Sequence, residues 1–204
     1  RDTITIDSWQ FSRSSLNVSD ATQQHGTWKN VIIPHDFQIE QPWVAPSNDE
    51  HADNSDQAAN VKSRLSARGF KEMGIGWYRK VFTPTQDWNG RRLVLEFGGI
   101  MLVGDVYLNG ERIGGTEYGY VGFGIDITDK IKYGSENVLV VKASTQKENN
   151  SRWYTGGGLF RTVKLILTDK QLYFARHPLY IATNDTNPVK IQSEIFRFST
   201  QNRG

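Results

Sequence analysis

Apolar positions in this chain alternate with polar ones or run in short blocks closed by Gly, Asn, Asp and Pro, which is the pattern of half-buried strands joined by tight turns. Trp9-Gln10-Phe11 and Val31-Ile32-Ile33-Pro34 predict two early strands. The series resumes with Gly76 to Phe82, Arg92 to Phe97, Asp105 to Leu108, Glu111 to Gly114, Gly122 to Ile127, Glu136 to Lys142 and Phe160 to Leu167. Asn109-Gly110 between two β-prone runs marks a hairpin, because both residues accept the positive φ of a type I′ turn. No stretch keeps a helical i, i+3, i+4, i+7 stripe for three turns. The expectation is an all-β chain folded as a jelly-roll antiparallel β-sandwich.

Two segments break the series. From about Gln41 to Met73 the pattern dissolves into Pro, Asn, Asp, Ser and Ala, and a connection that long in a compact domain is either disordered or functional. After Lys170, Leu179 to Ala182 and Val189 to Phe198 read as two more strands around Asn184-Asp185-Thr186-Asn187-Pro188. Two strands alone are marginal in water and need partners elsewhere. The expected organisation is one sandwich domain over residues 1–170, followed over 171–204 by a linker strand and the opening of a second β-domain.

At 204 residues the chain is long enough to bury a core without covalent staples. It has no cysteine, which excludes a disulfide scaffold and thiolate metal sites and leaves the compartment open between periplasmic or secreted and cytoplasmic. Its net charge of +2 comes from dispersed Lys and Arg, with no basic run interleaved with aromatics, so nucleic acid is not an expected partner. No apolar run approaches the ~20 residues of a membrane helix.

The stretch richest in chemistry is Asn149 to Val163, where Arg152, Trp153 and Tyr154 precede Gly156, Gly157 and Gly158. A cation and two flat amphipathic rings beside glycines that permit close approach make a surface suited to a sugar ring, whose C–H faces stack on aromatics while its hydroxyls need polar partners. The competing reading has Trp153 and Tyr154 packing beneath a simple turn into Leu159-Phe160.

In order along the chain, Trp28, Ile33-Pro34-His35-Asp36-Phe37, Gly74-Ile75-Gly76-Trp77-Tyr78-Arg79-Lys80, Asp105 to Gly110, Tyr118-Gly119-Tyr120, Asp126-Ile127-Thr128, Glu136-Asn137-Val138 and Ser151 through Val163 resemble the N-terminal sugar-binding domain of glycoside hydrolase family 2. That family comprises β-galactosidases, β-glucuronidases and β-mannosidases, and the β-galactosidase-like branch is the nearest in look. The resemblance covers residues 9 to 168. It implies a galactose-binding-like jelly roll, with residues after about 171 opening an immunoglobulin-like domain. The family's catalytic barrel and its two glutamates lie outside this sequence, so the chain alone is expected to be inactive.

By the same resemblance, two loops reach the mouth of that barrel: the segment before Gly76-Trp77 and the segment Asn149 to Tyr154. The substrate-binding candidates are therefore Asn150, Arg152, Trp153, Tyr154 and Trp77. Arg152 would donate to hydroxyls, or else form a salt bridge within the domain; Asn150 offers donor and acceptor, and Trp153 a stacking wall. Some β-galactosidases of the family carry an aspartate in the second loop, where Asn150-Ser151-Arg152 stands here. The implied partners are a β-linked sugar substrate shared with the barrel and, since a loop of one subunit completes another's site in some relatives, a homo-oligomer of the full-length protein.

No catalytic residue is assigned. Retaining hydrolysis needs two carboxyls about 5–5.5 Å apart, and no pair stands out. Glu96, Asp105 and Asp126 belong in or beside strands, and Asp49, Glu50, Asp53 and Asp56 crowd the long loop. His35-Asp36 reads as a strand-end packing landmark rather than a dyad, with no nucleophile elbow nearby. His25, His51 and His177 lack ligand spacing, so neither a metal nor a cofactor is expected. Three functions remain to be weighed: the non-catalytic domain of a β-glycosidase, a free-standing carbohydrate-binding module using Trp77, Trp153 and Tyr154, and a purely structural sandwich.

Overall fold

The computed structural model describes residues 1–44, 69–146, 154–186 and 189–199. An edge strand that the sequence pattern did not signal, β1 (Asp2–Thr5), precedes the predicted ones, which appear as β2 (Ser8–Ser12), β3 (Lys29–Ile32), β4 (Ile75–Phe82), β5 (Arg91–Phe97), β6 (Val103–Leu108), β7 (Glu111–Thr116), β8 (Phe123–Asp126), β9 (Asn137–Ser144) and β10 (Val163–Asp169). They form two antiparallel sheets, one ordered β1-β10-β5-β8 and the other β3-β2-β4-β9-β6-β7. This is the two-layer sandwich that the alternation predicts.

Alternation decides the core. Leu93, Leu95 and Phe97 of β5 and Val163, Leu165 and Leu167 of β10 face Phe11, Tyr78, Val106, Leu108, Leu139, Val141 and Ala143 of the other sheet in one buried cluster. A second, smaller cluster lies on the outer face of the six-stranded sheet, where helix α1 (Val18–Thr22) covers Trp77 and Val140 with Ala21. This single turn survives because Asn17 and Asp20 cap it reciprocally: Asp20 N donates to Asn17 Oδ1 at 2.9 Å and Asn17 N to Asp20 Oδ2 at 3.1 Å.

The two ends of the sandwich differ. At one end the turns are short: Asn109 (φ 53) and Gly110 (φ 88) close the β6–β7 hairpin. There the fully buried Asn137 is held by Lys132, Ser135 and Asn109. At the other end lie the connections β5–β6, β7–β8 and β9–β10 and the entry to β4. The registers Ile75↔Ser144, Val103↔Ser144, Phe97↔Val163 and Phe97↔Phe123 place their bases together. Loops gathered at one end of a sandwich are where such folds carry binding sites.

Beyond Asp169 the chain leaves the sandwich. Among the described residues, β11 (Leu172–Thr186) and β12 (Val189–Ser199) pair only with each other, as a two-stranded sheet. Arg176 Nε reaches Glu96 at 3.3 Å, and the Arg92 guanidinium lies 4.2 Å from the Tyr173 ring centre. Between hairpin and sandwich is a cleft of about 530 Å³. Phe174, Leu179, Ile181, Ile191, Ile195 and Phe198 are exposed on the hairpin.

Candidate functional site

The loop end is organised around residues 35–41. Running past β3, the segment pairs with the glycine stretch: His35 N donates to Leu159 O at 2.8 Å and Phe37 N to Gly157 O at 2.9 Å. On the far side, Met101 N donates to Gly158 O at 2.9 Å and Gly158 N to Met101 O at 2.7 Å. The glycines are required here. Gly156 (φ 74) and Gly158 (φ 117) take backbone conformations that L side chains resist, and a Cβ on Gly157 would lie 2.5 Å from Thr145 Cγ2.

Asp36 fixes this arrangement. Its Oδ1 accepts from Gly157 N at 2.8 Å and from Gln38 N at 3.0 Å, while its Oδ2 accepts the Tyr154 hydroxyl at 2.8 Å. Beside it, His35 Nδ1 lies 2.8 Å from the Tyr78 hydroxyl and His35 Nε2 3.4 Å from Glu40 Oε1, with Glu40 Oε2 accepting from Lys29 Nζ at 2.5 Å. A carboxylate only accepts, so this chain assigns the imidazole proton to Nε2 and makes Nδ1 the acceptor for Tyr78. Burial lowers the His35 pKa, with Glu40 opposing, and burial raises that of the Tyr78 hydroxyl. Burial also works against ionisation of Glu40, but the Lys29 ammonium and His35 outweigh it and its pKa falls.

The base of the long connection is pinned to the same place. Gly74 N donates to Thr145 Oγ1 at 3.0 Å and Thr145 N to Gly74 O at 2.9 Å. Val44 N reaches Phe70 O at 2.7 Å, and Lys71 Nζ sits 4.1 Å from the centre of the Trp43 ring. The described chain on either side of 45–68 and of 147–153 therefore converges at one edge, around Phe37 and Asp36.

Of the predicted binding residues, Asn150, Arg152 and Trp153 lie outside the described residues, as do residues 45–68 of the long loop. Tyr154 is at the site, 37% exposed and anchored on Asp36. Trp77 is corrected: 3% exposed, it points to the outer face of the six-stranded sheet, where α1 covers it and Lys142 lies 5.8 Å from its ring centre. A ring enclosed in this way has no face to offer a sugar. Sequence reading also missed the linking role of Asp36, whose only local signal is its place in Pro34-His35-Asp36-Phe37. It missed Gln38 too, which is fully buried and whose side-chain amide atoms have no hydrogen-bond partner among the described residues.

Asp36 and Glu40 are engaged in structural bonds, and Asp105 and Asp126, on strands of different sheets, pair with Arg112 and Arg92 at 2.8 Å each. Among the described residues no three His, Asp or Glu side chains gather as metal ligands, and no helix is long and apolar enough to cross a membrane.

Residues 71–197 match the family described as glycosyl hydrolase 2 galactose-binding domain-like. The chain is 33% identical over 161 residues to Beta-galactosidase BoGH2A of Bacteroides ovatus, covering 78% of this chain and 17% of that protein. It is 28% identical over 174 residues to a beta-glucuronidase of Formosa agariphila, covering 79% and 16%. A solved beta-glycosidase from Bacteroides vulgatus superposes with a TM-score of 0.76 at 26% identity, covering all of this chain and 25% of that one. The chain thus spans about a sixth of the length of these curated relatives.

Proposed function

The chain belongs to the glycosyl hydrolase 2 galactose-binding domain-like family, and from that membership we propose that it is the non-catalytic sugar-side domain of a retaining β-glycosidase of β-galactosidase or β-glucuronidase type. In this reading the loop end docks against a catalytic barrel elsewhere in the same polypeptide. Asn150, Arg152, Trp153 and Tyr154 then form one wall of the pocket for the non-reducing sugar, and the acid/base and nucleophile carboxylates come from the barrel.

The observation that carries the proposal is the Asp36 clamp. A connection that must hold polar and aromatic side chains toward a substrate needs a fixed exit, and Asp36 supplies one by bonding both Tyr154 and Gly157. That one relative is a beta-galactosidase and the other a beta-glucuronidase supports a β-glycoside as the substrate class. We assign residues 171–204 to the opening of a second, immunoglobulin-like β-domain. Their separate sheet and exposed apolar side chains favour a segment completed by further chain.

The test is hydrolysis of chromogenic β-galactoside and β-glucuronide by the 204-residue chain and by the full-length protein that contains it. The expected result is no turnover by the chain and turnover of at least one substrate by the full-length protein. Turnover by the chain that disappears on substitution of one of its own carboxylates overturns the reading.

A further inference from the structure

Between β7 and β8 the chain crosses from one sheet to the other through residues 117–122, at the same end as Tyr154 and Asp36. This crossing is held stiffly. Thr116 Oγ1 donates to Tyr118 O at 2.9 Å and accepts from Tyr118 N at 3.1 Å, and Arg161 Nη1 donates to Tyr120 O at 2.9 Å and to Gly98 O at 3.2 Å. At Gly119 a Cβ would stand 2.6 Å from Met101 Sδ and 2.9 Å from Ile100 O, so the backbone is pressed onto residues 100–101. Met101 pairs in turn with Gly158 of the clamped glycine stretch.

On this fixed backbone Tyr118 is 60% exposed. Its ring centre lies 5.6 Å from that of Tyr120 at an inclination of 57°, and Tyr120 rests edge-on against Phe160 at 6.4 Å. The Arg161 guanidinium lies 4.9 Å from the Phe160 ring centre. The result is a cluster of mutually inclined rings in which Tyr120 and Phe160 are half-buried and Tyr118 is presented to solvent.

A large ring placed in water on a stiff loop offers contact area with little conformational entropy to lose on binding. Tyr118 ends in a phenolic hydroxyl, so it offers a flat apolar face with a polar edge, the match for a pyranose. We propose that Tyr118, supported by Tyr120 and Phe160, is a stacking site for a further sugar unit of the saccharide, separate from the contacts assigned to Asn150 to Tyr154. This rests on the reading that the loop end faces a β-glycoside substrate.

The test is saturation-transfer NMR and titration of the 204-residue chain with β-1,4-galactotetraose, comparing wild type, Tyr118→Ala and Tyr118→Trp, with thermal melting of each. The expected result is saturation of sugar C–H protons in the wild type, affinity about threefold to tenfold weaker in Tyr118→Ala with unchanged melting, and retained affinity in Tyr118→Trp. Equal affinity in wild type and Tyr118→Ala, or no binding by either, overturns the stacking site. So does nitration by tetranitromethane that modifies Tyr118 in the chain but not in the sugar-free full-length protein, because another domain then covers the ring. None of these results depends on turnover, so a full-length protein without β-glycosidase activity refutes the proposed function separately.

Discussion

Asp36 accepts the hydroxyl of Tyr154 at 2.8 Å across 118 positions of sequence, and its other oxygen accepts the amide of Gly157. One side chain thus ties the β9–β10 connection to the segment after β3. Asp36→Ala removes the acceptor of three hydrogen bonds and is expected to cost about 2–4 kcal/mol, with Asp36→Asn costing less because one carbonyl acceptor remains. Urea unfolding of the three proteins measures it, and a loss below about 0.5 kcal/mol in Asp36→Ala contradicts the clamp.

Glycine substitutions separate backbone strain from steric exclusion. Gly110 has φ 88 and open space around its would-be Cβ, so Gly110→Ala is expected to cost about 1 kcal/mol from conformation alone. Gly158 has φ 117, and its would-be Cβ collides with the Tyr78 hydroxyl and comes within 2.9 Å of His35 O. Gly158→Ala is expected to cost about 3 kcal/mol or more, read by the same unfolding measurement.

His35 gives the fold a pH dependence of known sign. Burial holds its folded-state pKa below the ordinary value, so the unfolded chain takes up the proton first as pH falls. Stability is therefore complete above about pH 6.5, the unfolded value, declines as pH falls toward the lower folded-state pKa, and levels off beneath it. The pKa of Glu40 is also lowered, so its contribution is lost in a more acidic window, below its ordinary carboxylate range. Denaturant unfolding between pH 8 and pH 5 should show the upper slope in the wild type and a flatter profile in His35→Gln.

Trp77 marks where sequence was legible and where it was not. The apolar runs in Arg91–Phe97 and Asn137–Ser144 announce buried strands, and Asn109-Gly110 announces its hairpin, although in Val138-Leu139-Val140-Val141 the sequence does not say that Leu139 and Val141 enter the sandwich while Val140 meets α1. In Gly76-Trp77-Tyr78, however, adjacent aromatics take opposite faces, and nothing local says that Tyr78 enters the sandwich while Trp77 meets α1. That helix escapes detection because five residues are too few for a helical period, although its Asn17…Asp20 cap is written in the sequence. The Asp36 clamp was hidden for a different reason: its partners lie far along the chain, and hydrogen bonds of that reach leave no local pattern. Trp77→Ala is expected to lower stability by about 3–5 kcal/mol while leaving sugar affinity per folded molecule unchanged, measured by unfolding and by titration.

The β11–β12 hairpin packs little against the sandwich, so its amides are expected to exchange faster in the 204-residue chain than those of β10 by orders of magnitude. In a full-length protein that completes the second β-domain, hydrogen exchange should slow selectively over residues 172–199. Equal protection in both forms contradicts the assignment of this segment to a further domain.

The most direct measurement of the central claim is steady-state kinetics of the full-length protein carrying Asn150→Ala or Arg152→Ala, paired with melting of the 204-residue chain bearing the same change. If this domain supplies substrate contacts from the connection that Asp36 anchors, kcat/KM on the preferred β-glycoside falls about 10- to 100-fold, corresponding to about 1.4–2.7 kcal/mol, while the melting temperature of the chain is unchanged. An unaltered kcat/KM in both variants contradicts the claim and leaves the domain a scaffold without a share in the substrate pocket.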